Sequence, residues 1–120
     1  MNTPREKIRV LVVDDSAFMR KVISDMLSND ELIEVVGTAK NGKDGIEKAQ
    51  LLKPHIITLD VEMPIMDGIT ALETLLTLNP VPKVIMLSSL TNNGGEATIK
   101  ALEAGAVDFV PKPSGSIIHF

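Results

Sequence analysis

The sequence contains no cysteine, no tryptophan and no tyrosine, and its only aromatic residues are three phenylalanines. The lack of cysteine excludes disulfide bonds, thiolate metal sites and a cysteine nucleophile, and it fits a reducing compartment, so we expect a cytoplasmic protein. No apolar run approaches the length needed to cross a bilayer, and the polar start, 1–7, does not resemble a signal peptide. Aliphatic side chains and methionine must therefore build the core.

The size and charge of the chain are those of one ordinary globular domain. It has 120 residues, of which 44% are hydrophobic, and its formal net charge is −4 at pH 7. An acidic balance argues against nucleic acid or an anionic membrane as a direct partner. We expect a single domain over residues 1–113, followed by the start of a linker or a truncated tail over 114–120.

Short apolar runs alternate along the chain with amphipathic segments, a pattern typical of α/β domains. The runs predict five strands, over residues 8–13, 33–36, 55–59, 83–87 and 107–110, with Gly37 closing the second and Gly105 ending the last helix. Five βα units in this order predict an open, doubly wound parallel sheet of the flavodoxin-like order 2-1-3-4-5.

The sequence offers little chain for a helix after the fifth strand. Only 114–120 remain after Pro113, whereas a parallel sheet normally has helices on both faces. We therefore predict that the final covering helix is absent and that the face holding only the first helix exposes an apolar patch. Such a patch would favour self-association or exchange of segments between copies.

Polar side chains follow four of the predicted strands. Asp14 and Asp15 come after the first strand, Asp60 after the third, Ser88 after the fourth and Lys112 after the fifth. The carboxyl ends of parallel strands meet at one edge of such a sheet, which is also where ligands bind. The sequence therefore brings five polar residues together by topology alone.

The three aspartates of this group predict a cation site. Carboxylates ~4 Å apart repel by about 4 kcal/mol at an effective dielectric constant of ~20, so a cluster raises its own pKa values or recruits a cation. Mg²⁺ takes oxygen ligands and shares its coordination shell with phosphate, and Mn²⁺ accepts the same ligands. One carboxylate can then act as a nucleophile and form an acyl phosphate. The alternatives are a helix cap for Asp14-Asp15 and a turn residue for Asp60.

The remaining candidates each have a functional and a structural interpretation. Lys112, between two prolines, can pair with a carboxylate and then with a phosphoryl oxygen, or it is a solvated loop residue. Ser88 can donate to a phosphoryl oxygen or serve as a turn residue. Phe109 is either core or a ring whose rotamer follows Ser88. Glu62 can offer its backbone carbonyl to a metal and its side chain to the control of hydrolysis, or it is a solvated carboxylate.

Over residues 7 to 113, four stretches together resemble the receiver domains of response regulators: VLVVDDSAFMRKV, ITLDVEMPIMDGI, VIMLSSLT and GAVDFVPKP. The residues of these stretches are most similar to those of the N-terminal receiver of the chemotaxis protein-glutamate methylesterases. The resemblance implies that the site residues divide into a phosphoacceptor (Asp60), Mg²⁺ ligands (Asp14, Asp15 and the Glu62 carbonyl), phosphoryl-binding residues (Ser88 and Lys112) and an aromatic switch (Phe109).

The same resemblance implies partners. A chemotaxis histidine kinase would be the phosphoryl donor, and a C-terminal methylesterase domain acting on chemoreceptors would be the output. The chain departs from that family because it lacks a G-x-S-x-G elbow, so we expect no methylesterase activity from these residues alone.

Other functions compete with this interpretation. A metal-dependent phosphohydrolase or nuclease also uses clustered acids, but it would call for a D-x-D pair, and Asp60-Val61-Glu62 is only a near match. A receiver that stands alone or has another output, and a pseudo-receiver that is not phosphorylated, use the same fold. For the switch itself, the Asn-Asn-Gly-Gly run predicts that the loop from Ser88 to Gly95 moves.

Overall fold

The structure is a computed structural model that describes residues 6–63, 66–88 and 96–113. Within these residues, the strands are β1 (Ile8–Val13), β2 (Ile33–Ala39), β3 (Ile56–Asp60), β4 (Lys83–Ser88) and β5 (Asp108–Pro111). The helices between them are α1 (Ala17–Ser28), α2 (Gly42–Leu52), α3 (Gly68–Leu75) and α4 (Glu96–Ala104). No helix in this part of the chain has both the length and the hydropathy required to cross a membrane.

The strands form one parallel sheet in the order β2-β1-β3-β4-β5, which confirms the predicted topology. β1 and β3 are interior strands, and each carries a run of four consecutive buried residues, all aliphatic in β1 and including Ile57 and Leu59 in β3. Such runs are typical of strands covered on both faces. Because all the strands point the same way, their carboxyl ends share one edge, and that edge carries the predicted site.

The side chains of β1 divide between two hydrophobic layers, because successive residues of a strand point to opposite faces. Leu11 and Val13 belong to the larger core, which α2, α3 and α4 cover. Val10 and Val12 face the other way and pack with Ile23 of α1. The two layers are therefore very unequal in their helical cover.

The α1 side of the sheet carries an open groove of about 260 Å³. Its lining is almost wholly apolar and includes Ile23, Met26 and Leu27 of α1 together with Ile85, Leu87 and Val110 of the sheet. Among the described residues, α1 is the only helix on this face. The predicted lack of a final covering helix therefore holds for the part of the chain that the structure describes.

Several predicted strand boundaries were wrong. β3 spans Ile56–Asp60 instead of 55–59, and β4 ends at Ser88 instead of residue 87. β2 does not end at Gly37 but continues to Ala39, because Gly37 pairs with Leu11 and the ladder runs on beside β1. A Cβ at Gly37 would lie 2.9 Å from Cδ1 of Leu52, so this glycine makes room for α2 rather than ending the strand. β5 lies one residue later than predicted at both ends, at Asp108–Pro111. Gly105 ends α4 as predicted, with a φ of 118° that favours glycine.

Candidate functional site

The carboxyl edge of the sheet brings the three predicted aspartates together. Asp14 follows β1 and Asp60 is the last residue of β3, and the side chains of both are fully buried, whereas Asp15 is exposed. One carboxylate oxygen from each lies within 4.8 Å of the others. The prediction that these acids form one cluster is therefore met by the geometry.

Lys112 provides a positive charge inside this cluster. Its Nζ lies 3.0 Å from Asp14 Oδ2 and 3.0 Å from Asp60 Oδ1, and only 11% of its side chain is exposed. The backbone fixes its position, because the Lys112 N–H donates to the Ser88 carbonyl at 2.8 Å, directly after the β4–β5 ladder. The ammonium thus bridges carboxylates from two different strands.

The turns that follow β1 and β3 hold the two buried carboxylates in place. The Ser16 N–H donates to Asp14 Oδ1 at 2.9 Å, and the Glu62 N–H donates to Asp60 Oδ1 at 3.0 Å. An aspartate that accepts from the backbone two residues later stabilises a tight turn. The Arg20 guanidinium of α1 adds a hydrogen bond of 2.8 Å to the Asp14 carbonyl. These bonds restrict both the chain path and the carboxylate orientation.

The environment of Asp60 changes its acidity. Burial raises the pKa of Asp60 from 3.8 to about 7, and the neighbouring carboxyl groups of Asp14 and Asp15 act in the same direction, while Lys112 opposes them. For Lys112, burial disfavours the charged form, but hydrogen bonds and charge interactions with Asp60 and Asp14 outweigh it and raise the pKa. The single positive charge of Lys112 therefore does not balance the negative charge of the clustered carboxylates. The remaining negative charge favours the binding of a further cation.

The donor set fits a hard divalent cation. All three acids offer oxygen, the ligand type that Mg²⁺ and Mn²⁺ prefer. Asp60 Oδ2 is buried and has no hydrogen-bond partner among the described residues, an arrangement that a bound cation or an added group would relieve. Asp14 and Asp60 are buried together at this point, so a cation would also reduce their mutual repulsion.

Ser88 and Glu62 form a second polar contact at the same edge. The Ser88 hydroxyl, which is 2% exposed, donates to Glu62 Oε2 at 2.9 Å. Phe109 lies in β5 opposite Met86, and its half-buried ring packs against the larger core. The packing accounts for Phe109 as a core residue, and its role as a switch stays a prediction. The loop predicted to move, apart from Ser88 itself, lies outside the described residues.

Gly68 is a site residue that the sequence marks only as part of an Asp-Gly pair, a pattern typical of a turn. A Cβ at this position would lie 2.5 Å from the Asp60 carbonyl oxygen and 2.7 Å from the Val61 Cα. The Gly68 N–H donates to the Val61 carbonyl at 3.0 Å, so α3 begins directly against the chain that carries Asp60. The Asp67-Gly68 pair in the sequence indicates a turn, but it does not reveal which backbone lies next to that turn.

Comparison with known proteins identifies the family. The model for the response regulator receiver domain matches residues 10–117. The chain belongs to this family. It is also 58% identical over 111 residues to a protein-glutamate methylesterase/protein-glutamine glutaminase of Methanococcus maripaludis, a match that covers 92% of the chain and 30% of the relative. The chain thus spans about a third of the length of the curated relatives that it matches.

Solved structures lead to the same family. The response regulator domain of Thermotoga maritima CheB is 54% identical, with a TM-score of 0.84 and coverage of 93% of this chain and 83% of that one. A chain of the complex between the P1 domain of CheA3 and CheY6 from R. sphaeroides is 35% identical, with a TM-score of 0.79 and coverage of 94% and 88%. The resemblance to the receiver of chemotaxis methylesterases is therefore confirmed, and the chain is a CheB-type receiver domain.

Proposed function

We propose that this receiver domain accepts a phosphoryl group on Asp60 in a reaction that depends on Mg²⁺. The observation that carries the proposal is the unequal environment of the two Asp60 oxygens. Oδ1 accepts from the Glu62 N–H and lies against Lys112, whereas Oδ2 has no hydrogen-bond partner among the described residues. Oδ2 is therefore the oxygen available to act as a nucleophile.

The residues around Asp60 have separate tasks in this reaction. Asp60 Oδ2 attacks the phosphorus atom of the donor. With a phosphohistidine donor, the bond between phosphorus and the imidazole nitrogen breaks, and that nitrogen keeps the electron pair. Lys112 and the Ser88 hydroxyl then bind phosphoryl oxygens, since both already lie at this edge of the sheet. Mg²⁺ held by Asp14, Asp15, Asp60 and the Glu62 carbonyl would supply neutralisation of the phosphoryl charge. Mn²⁺ would satisfy the same ligands.

We further propose the partners of the reaction. The donor is a chemotaxis histidine kinase in the cytoplasm, a proposal supported by the similarity to a chain of the CheA3–CheY6 complex. The output is a methylesterase domain that follows the receiver and acts on chemoreceptors, a proposal supported by relatives more than three times as long as the match. In this scheme residues 1–113 form the receiver, and 114–120 begin the linker.

Intact mass spectrometry tests the central proposal. The chain is incubated with a small acyl-phosphate donor, with and without Mg²⁺, beside the variants Asp60→Asn and Asp25→Asn. Asp25 is exposed and pairs with Lys21 on α1, so Asp25→Asn is a control for the loss of one surface carboxylate. We expect a phosphoryl adduct that requires Mg²⁺, forms on the Asp25→Asn variant and is lost in Asp60→Asn. A folded wild-type chain that gains no adduct, or an Asp60→Asn variant that still gains one, would contradict the proposal.

A further inference from the structure

Glu62 contacts the site at two points, one through its backbone and one through its side chain. Its N–H donates to Asp60 Oδ1 at 3.0 Å, and its Oε2 accepts from the Ser88 hydroxyl at 2.9 Å. The two chain segments are held side by side, because the Val61 N–H donates to the Leu87 carbonyl at 2.9 Å. The carboxylate therefore crosses from the end of β3 to the end of β4 and orients a hydroxyl at the phosphoryl site.

A hydroxyl has a single proton to donate. When the Ser88 proton is directed to Glu62, it cannot also be donated to an oxygen of a phosphoryl group on Asp60. The two hydrogen bonds are therefore mutually exclusive, and one must break before the other forms.

We propose that Glu62 is a positioning residue whose carboxylate competes with the phosphoryl group for the Ser88 hydroxyl and so holds the site in its unphosphorylated arrangement. The inference rests on the proposed function, because it presumes a phosphoryl group on Asp60. It assigns to the Glu62 side chain a task separate from the metal ligation proposed for its carbonyl.

The burial of the two partners makes such an exchange feasible. Ser88 is 2% exposed, so its hydroxyl requires a partner in either state. Glu62 is exposed, so its released carboxylate can be hydrated at little cost. A phosphoryl group also carries about two negative charges, which makes it a strong acceptor and repels the Glu62 carboxylate. Phosphorylation thus favours the exchange by attraction of Ser88 and by repulsion of Glu62.

The test uses beryllofluoride, a noncovalent analogue of the phosphoryl group, together with Mg²⁺ and the whole chain. Its apparent dissociation constant is measured from amide chemical shifts, because the chain has no tryptophan. Glu62→Met removes the acceptor at similar length, and Glu62→Gln removes the charge but keeps an acceptor oxygen. Both substitutions are made in the wild type and in the S88A background, and the fold of each variant is checked by circular dichroism.

We expect Glu62→Met to tighten beryllofluoride binding in the wild type by about three- to tenfold more than in the S88A background, the range given by one hydrogen bond. Loss of charge alone acts in both backgrounds, so only the difference between them reports the competition. Glu62→Gln should tighten binding less than Glu62→Met when Ser88 is present. Equal tightening in both backgrounds would overturn the inference while the proposed function stands. Failure of every folded variant to bind would overturn both.

Discussion

At the scale of single residues, the chemistry depends on a shortage of positive charge. Asp14 and Asp60 are both fully buried, and Lys112 is the cation that contacts both of their carboxylates among the described residues. Removal of one partner from a buried ionic group costs more than the pair contributes, so these side chains are mutually dependent. The raised pKa of Asp60 is the measurable sign of this imbalance. Titratable groups perturbed in this way are typical of functional sites.

The pKa of Asp60 predicts how stability depends on pH in the absence of divalent metal. The folded chain keeps a proton on Asp60 up to about pH 7, whereas the unfolded chain releases it near 3.8. Folding therefore binds a proton between these values, and the free energy of unfolding falls as pH rises through this window. As pH rises from 4 to 8, we expect the free energy of unfolding of the wild type to fall relative to that of Asp60→Asn. Urea unfolding at a series of pH values in this range measures the difference.

Addition of Mg²⁺ provides the control for that experiment. A cation that binds the ionised acids of the folded chain opposes proton uptake and stabilises the native state. The stability lost by wild type at pH 8 should therefore be regained with Mg²⁺, and Asp60→Asn should gain less. Parallel pH profiles for wild type and Asp60→Asn in the absence of metal would contradict the assignment of the raised pKa to Asp60.

At the scale of secondary-structure elements, the site depends on how closely α3 approaches β3. The first residue of α3, Gly68, lies so near the Asp60 carbonyl that a side chain has no room. The contact involves backbone atoms, which cannot rotate aside as a side-chain tip can. A glycine at this point therefore sets the distance between a helix and the strand that ends in Asp60.

Gly68→Ala should consequently destabilise the chain by about 1–3 kcal/mol, because the clash with backbone outweighs the helix propensity gained with alanine. Gly37→Ala is the matched control. Its Cβ would meet Cδ1 of Leu52, a flexible side-chain end, at 2.9 Å, so we expect a smaller loss. Urea unfolding followed by circular dichroism measures both. A Gly68→Ala variant as stable as Gly37→Ala would show that β3 and α3 can separate without cost.

At the scale of the whole molecule, the two faces of the sheet differ in cover. Three described helices protect the larger core, whereas α1 is the described helix on the other face. The groove beside α1 leaves Met26 and Val110 at an apolar surface. Contiguous apolar surface of this kind favours association.

We therefore expect the chain to self-associate as its concentration rises, as measured by light scattering. Met26→Glu, which places a charge in the groove, should shift the chain toward monomer. Leu51→Glu is the matched control, because Leu51 is 79% exposed on α2, on the other side of the sheet. A monomeric wild type at all concentrations would contradict the expectation, and so would equal effects of the two substitutions.

The order of apolar and amphipathic segments was enough to predict the topology and the location of the site. Apolar runs of strand length, separated by amphipathic segments, allow few arrangements, and parallel strands must end at one edge. Asp14, Asp60, Ser88 and Lys112 could therefore be grouped before any distance was known. Motif resemblance supplied the family, and the family comparison confirmed it.

The details that depend on contacts between distant segments could not be predicted and became visible in the folded chain. β2 continues through Gly37 because the neighbouring strand β1 supplies hydrogen-bond partners. The residues around Gly37 do not by themselves reveal that β1 lies beside them. The hydrogen bond from Ser88 to Glu62 joins residues 26 positions apart. The raised pKa of Asp60 follows from burial that several elements create together. Local sequence determines which groups reach the edge of the sheet, but packing determines the distances, the burial and hence the acidity of those groups.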